Sequence, residues 1–119
     1  MMDEEHLRDL FASLSDVRIR RMFGGQGIYS GETIVALVIR DRLYLKTDEA
    51  TQPFFENEGC ERWTYAREGK GAVAMPYHAA PESVFDDPDD MALWAERALQ
   101  AGLAARKTPR RSSARRSRK

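Results

Sequence analysis

The segment Thr33–Ile39, closed by Arg40-Asp41-Arg42 and followed by Leu43-Tyr44-Leu45-Lys46, constrains this chain more than any other part of it. Thr33–Ile39 is β-branched or apolar throughout, with no polar alternation. Such a run predicts a strand covered on both faces. The short polar turn makes 43–46 its antiparallel neighbour. A covered hairpin needs more strands beside it and a layer above it, and the rest of the chain has to supply both.

Further strands are legible on either side. Residues 17–23 begin with alternation, Val17 and Ile19 on one side and Arg18 and Arg20 on the other, which predicts a half-buried strand. Gly24-Gly25 interrupts it, residues 27–30 form a short second strand, and Gly31 turns the chain. Arg62–Arg67 alternates again, with Trp63 and Tyr65 on one face. Glu68-Gly69-Lys70-Gly71 is a hairpin loop, and residues 72–77 return as the partner strand. Pro76 near its end predicts an edge or a strand terminus.

Three helices complete the pattern. In residues 3–14, Leu7, Leu10, Phe11 and Leu14 fall on one stripe, and Asp3, Glu4 and Glu5 occupy the first turn. Residues 51–58 form a second helix that tolerates Pro53 in its first turn and stops at Gly59. Asp87 and Pro88 mark the start of the third. Its stripe is Met91, Trp94, Ala95, Ala98 and Leu103, with Leu99 on the flank, and it fades near Arg106. Residues 80–85 connect. The order is helix, three or four strands, helix, two strands, helix: an α+β domain with a single, mostly antiparallel sheet packed with helices.

The chain has 119 residues, 42% of them apolar, enough for one domain with one core. Nineteen Lys and Arg balance nineteen Asp and Glu, but unevenly. Residues 106–119 hold eight bases and no acid, so residues 1–105 carry eleven bases against nineteen acids, a net of −8. The expected organisation is a domain over 1–105 and a disordered basic tail over 106–119, because the tail has no large apolar residue to bury. The longest apolar run, Ile34 to Ile39, is far short of the roughly 20 residues of a membrane-spanning helix. The acidic start is no signal peptide. The lone Cys60 builds no disulfide framework, and a cytoplasmic location is expected.

Few residue patterns suggest bond-making chemistry. Gly24-Gly25-Gln26-Gly27 looks like a phosphate loop, but a strand pattern follows it rather than a helix, so a tight bend or bulge is the better reading. His6 and His78 have no partner at metal-ligand spacing. Asp86, Asp87, Asp89 and Asp90 surround Pro88 and fit a helix start better than a calcium loop. Cys60 follows a helix C-terminus, whose negative end disfavours a thiolate. Tyr29, Tyr44, Trp63, Tyr65 and Tyr77 lie on strands. They could stack bases, but core or half-buried sheet positions are the commoner role for such residues. No cofactor, metal site or catalytic residue is expected. The tail residues Arg106, Lys107, Arg110, Arg111, Arg115, Arg116, Arg118 and Lys119 are the candidates for nucleic-acid binding through phosphates, without base specificity. A solvated tail, or one folded back on the acidic body, competes evenly with that reading.

The run Arg20-Arg21-Met22-Phe23-Gly24-Gly25-Gln26-Gly27-Ile28-Tyr29 resembles the signature of the TfoX/Sxy N-terminal domain family. Leu43-Tyr44-Leu45-Lys46, Asp48-Glu49, Phe55, Gly59, Tyr65, Gly69-Lys70, Met75, Tyr77, Pro81-Glu82, Trp94 and Ala98 continue it in order, so the resemblance covers roughly residues 5–105. Within it, Arg21, Met22, Phe23, Gly24, Gly25, Gly27, Tyr29, Lys46 and Lys70 are the structural or partner-binding candidates. The resemblance implies a bacterial cytosolic α+β domain like that of secretion chaperones. It also implies regulation of competence, as a coactivator beside a cyclic-AMP receptor protein-type factor, with no enzyme activity and no cofactor. The regulators of this family carry a second domain where this sequence carries the basic tail. Two alternatives stand beside that reading. One is a ligand-binding or enzyme site beside the Gly24–Gly27 bend, with Arg20, Arg21, Lys46 and Lys70 facing an anion; the other is a dimerising module.

Overall fold

A computed structural model describes residues 2–22, 24–67, 69 and 71–107. Each element starts from local chemistry. The Asp3 carboxylate accepts the His6 N–H at 3.1 Å and caps α1 (Glu4–Leu10). The helix ends four residues earlier than its apolar stripe suggests. Ala12 N–H donates to Asp9 O and Leu14 N–H to Phe11 O, three-residue bonds that tighten the end into a turn. Phe11 and Leu14 are buried with Leu7 all the same.

Four strands follow: β1 (Val17–Met22), β2 (Gly25–Ser30), β3 (Thr33–Ile39) and β4 (Arg42–Lys46). β2 starts two residues before the predicted strand, because Gly25 already pairs with Met22. The β3–β4 turn is only two residues long. Arg40 and Asp41 both have positive φ, 52° and 63°, which matches the right-handed twist of a hairpin and leaves Arg42 in the strand. α2 (Gln52–Asn57) begins at Thr51. There the Asp48 carboxylate accepts the Thr51 N–H at 2.9 Å, and Thr51 Oγ1 accepts the Asp48 N–H at 3.0 Å. Pro53 is accommodated in the first turn, as expected.

β5 (Arg62–Arg67) and β6 (Gly71–Ala79) complete one antiparallel sheet in the order β1-β2-β3-β4-β6-β5. The reading of Pro76 needs correction: β6 lies between β4 and β5, not at the edge. Proline is tolerated there because the register with β5 shifts between Arg62 and Thr64, so the ladder is interrupted opposite it. On the β4 side Pro76 needs only its carbonyl, which accepts the Thr47 N–H at 2.9 Å.

A 3₁₀ turn (Glu82–Phe85) leads into α3 (Pro88–Lys107), whose Asp87 cap accepts the Asp89 and Asp90 N–H groups. The buried stripe of α3 is Met91, Trp94, Ala95, Ala98, Ala101 and Gly102. Leu103 is only half-buried, because the four-residue step from Ala98 reaches Gly102 instead. Arg106 and Lys107 belong to the last turn of α3, and the tail from residue 108 lies outside the described residues.

The main core lies between helices and sheet. Leu7 and Phe11, Phe55, Val84, Met91 and Trp94 meet Ile28, Val38, Leu43 and Leu45. Phe55 and Trp94 pack edge to face, 4.7 Å between ring centroids. A second cluster, Leu37, Tyr44, Tyr77 and Ala79 with Met22, Ile34, Ile39, Trp63 and Met75, contains strand residues only. β3 is thus covered by helices on one face and by the side chains of its own sheet on the other.

Candidate interaction face

Strand alternation sorts the sheet into two unlike surfaces. Facing pairs such as Gly27↔Leu37, Leu37↔Tyr44 and Tyr44↔Ala79 run across four strands on the helix-free side. Ile39↔Arg42 and Lys46↔Tyr77 extend the same face along the strands. It is an apolar bed carrying cations. The Arg20 guanidinium sits 5.2 Å from the Tyr29 ring centroid, that of Arg42 5.6 Å from Tyr44, and the Lys46 ammonium 4.9 Å from Tyr77. Trp63 adds ring contacts to Tyr44, Tyr65 and Tyr77 at 6.0, 6.4 and 6.2 Å. Tyr44 and Tyr77 are nearly covered by these neighbours, whereas Tyr65 is 52% exposed.

The charge of the sheet differs in kind from that of the rest. Its six strands contain seven Lys or Arg and no Asp or Glu; all nineteen acids lie outside them. Outside the strands, residues 1–105 therefore carry four bases against nineteen acids, a net of −15. Burial lowers the Lys46 pKa, with Asp48 opposing, so this ammonium is held partly out of water. Burial also pushes the Tyr77 hydroxyl up to about 12, which keeps it neutral.

The groups best suited to chemistry are occupied elsewhere. His78 is buried on the opposite side of the sheet, with Nδ1 3.1 Å from Thr47 Oγ1 and its ring against Phe55. Burial first, then Arg62, lowers its pKa, while Glu56 opposes. Burial first, then Glu58, raises the Cys60 thiol, with Arg42 opposing, so the thiolate is disfavoured by its surroundings rather than by the helix end. Among the described residues, no three of His, Cys, Asp and Glu gather as a metal group. Among the described residues, no helix is long and apolar enough to cross a membrane.

An open groove of about 330 Å³ lies between α2 and α3, lined by Phe54, Asn57, Glu58, Asp90, Leu93 and Arg97 among others. The Arg97 guanidinium fills part of it, 3.9 Å from the Phe54 ring centroid and 4.7 Å from Trp94. The groove is not the one considered beside the glycine bend, since none of Gly24–Gly27, Arg20, Arg21 or Lys46 lines it.

The family model of the TfoX N-terminal domain matches residues 9–102 of this sequence. The chain belongs to the TfoX N-terminal domain family. At the level of the family this carries a TfoX-like, competence-related regulatory role. No curated protein matches the chain.

The TfoX signature residues have distinct places in the fold. Met22, Gly27, Tyr29 and Lys46 come together on the helix-free face, where a Cβ on Gly27 would lie 2.8 Å from Met22 Cε and 3.2 Å from Tyr29 Cε1. Gly24 makes the β1–β2 turn with φ of 74°. Gly25 is pressed on β3, where a Cβ would fall 2.0 Å from the Val38 carbonyl oxygen. The glycines thus make a bend and a close strand contact, as expected in place of a phosphate loop. Arg21 is exposed and pairs with Gln26 on the helix side of the sheet. Phe23 and Lys70 lie outside the described residues. Of the tail candidates, Arg106 is exposed on α3 and donates to Thr33 Oγ1 at 2.9 Å, Lys107 ends the helix, and Arg110, Arg111, Arg115, Arg116, Arg118 and Lys119 lie outside the described residues.

Sequence reasoning missed the convergence of Tyr44, Tyr77, Arg42 and Lys46, having given the strand aromatics mainly to the core. Tyr44 and Tyr77 are indeed nearly buried, but under cations and a tryptophan rather than under a helix. The available signal was the absence of acids from every predicted strand.

Proposed function

We propose that this TfoX-family chain regulates by contact, as a coactivator of DNA-uptake gene transcription beside a cyclic-AMP receptor protein-type factor. In this reading it makes and breaks no bonds and needs no cofactor. The basic tail adds sequence-independent attraction to DNA, and the domain supplies the protein contact. The observation that carries the reading is the helix-free sheet face, which offers an apolar bed and three ring-supported cations on strands that contain no acid. The quiet state of His78 and Cys60 supports it too.

The test separates the two contacts. DNA affinity of the intact chain is measured against salt, beside a chain ending at Lys107 that lacks six bases of the tail. Each phosphate neutralised adds about 0.9 to the slope of log affinity on log salt, so the shortened chain should lose a slope of up to about 5. Transcription from a promoter dependent on the cyclic-AMP receptor protein, with and without the intact chain, tests coactivation. An unchanged transcript level would remove the regulatory reading, and an unchanged salt slope would remove the role of the tail.

A further inference from the structure

We infer that the helix-free face of the sheet is a docking site for an acidic, apolar-patterned protein segment on the regulatory partner. This rests on the reading that the chain works by protein contact, and it names the chemistry of that contact. Three observations select the occupant.

The first is charge. Arg20, Arg42 and Lys46 stand on this face, and no strand brings an acid to it. Among the described residues, Lys46 has no carboxylate within ion-pair distance and meets the Tyr77 ring instead. Arg42 reaches Glu61 only at 3.7 Å, with both side chains more than half exposed, so that pair holds it weakly. Carboxylates of an incoming chain would meet cations already desolvated on one side and held over rings, which lowers the cost of ordering them.

The second is the bed between the cations. Met22, Ile34, Ile39 and Met75 are half-buried and form the outer layer of the cluster. Methionine adapts to irregular partners, and exposed apolar surface rimmed by charge marks contact sites. An extended segment whose every second residue is in turn acidic and apolar presents both kinds to one face, with carboxylates over the cations and apolar side chains over this bed.

The third observation disfavours single-stranded nucleic acid, the other ligand of cationic aromatic sheets. Base stacking needs free ring faces. Here Tyr29, Tyr44 and Tyr77 each carry a cation over the ring, and Tyr44 and Tyr77 are nearly buried. A phosphodiester chain also offers nothing to the methionines and isoleucines.

The experiment uses the full chain and three labelled probes. They are a twelve-residue peptide whose every second residue is in turn Glu and Leu or Val, with Ser between them, the same peptide with Gln for Glu, and dT12. Binding is followed by fluorescence anisotropy, and the site by NMR shifts of Leu37, Ile39 and Met75. The Glu peptide should bind at least tenfold more tightly than the Gln peptide and than dT12, with shifts on these three residues. Arg20→Gln combined with Lys46→Gln should weaken it at least tenfold, with an unchanged thermal melt. Phe54→Ala with Leu93→Ala, in the α2–α3 groove, should leave it unchanged. If the melt of the double Gln variant falls, Arg20→Gln alone, an exposed position, takes its place and should weaken binding at least threefold. Equal binding of the Gln peptide, tighter binding of dT12, shifts confined to the groove, or no binding of the Glu peptide at about 1 mM would each overturn the inference. Coactivation lost by the Gln variant while its fold persists supports the assignment. Coactivation retained by that variant overturns the docking face and leaves the contact reading standing. Failure of the unaltered chain to coactivate removes the contact reading itself.

Discussion

Gly102 of α3 rests directly on Ile34 of β3: a Cβ on the glycine would lie 2.6 Å from the Ile34 carbonyl oxygen and 2.7 Å from Thr33 Cγ2. Here helix and strand meet backbone to backbone, and Arg106, one turn later, ties the same helix to Thr33. In an isolated helix, alanine would gain about 1 kcal/mol over glycine. Overpacking against a carbonyl that cannot move without its strand costs about 1–3 kcal/mol, occasionally more. Gly102→Ala should therefore lower stability, by up to about 2 kcal/mol, in urea denaturation. A more stable variant would show that α3 sits further from β3.

The two strand glycines of the signature should behave differently. At Gly25 the obstacle is backbone, the Val38 carbonyl at 2.0 Å, so Gly25→Ala must part β2 from β3 and should cost about 3 kcal/mol or more. At Gly27 it is the mobile end of Met22, so Gly27→Ala should cost about 1 kcal/mol and displace Met22 on the open face. Thermal melts of the two variants should rank in that order.

His78 predicts the direction of a pH dependence. Its folded pKa is depressed below 6.5 by burial, with Arg62 adding to this and Glu56 opposing. Between the two pKa values the unfolded chain binds the proton and the folded chain does not, so stability rises with pH. The contribution is complete above about 6.5 and is lost as pH falls below it. Urea midpoints at pH 7.5 and 5.5 should differ less in His78→Gln, whose amide can still meet Thr47, than in the parent chain.

Cys60 should react slowly. Burial and Glu58 raise its pKa, so less thiolate is present at pH 8 than for a free thiol. Alkylation should accelerate when urea unfolds the chain. A rate in the native state equal to that of free cysteine would contradict this placement.

Truncation should separate the two aromatic neighbours on β5. Trp63 is half-buried against Tyr44 and Tyr77, and Trp63→Ala should cost about 3 kcal/mol. Tyr65 is 52% exposed, and Tyr65→Ala should change the melt by less than about 0.5 kcal/mol.

Most strands were legible because their signals are local. Alternation in Val17 to Arg20 and the tight Arg40-Asp41 turn place β1 and the β3–β4 hairpin without reference to anything distant. The stripe of α3 was legible to Ala98 but misassigned at Leu103, since a helix facing a close-packed strand prefers the smallest residue to the most apolar one. Pro76 was misjudged because its cost depends on the register of a neighbour that sequence does not show. The interaction face was hidden for a related reason. Its members come from β1, β2, β3, β4, β5 and β6, and no spacing along the chain links Arg20 to Tyr77.

The sequence by itself determined which residues pair through short turns, which side chains share a face, and that every acid lies off the strands. Those properties follow from a two-residue period and from turn chemistry, both of which act over a few residues. Only the tertiary structure decided that β6 inserts between β4 and β5 and that the helices all pack on one side of the sheet. Alternation states which residues stand together. What covers them depends on how far-separated segments share the burial of apolar surface, and here it left Lys46 and Tyr77 facing outward beneath no helix.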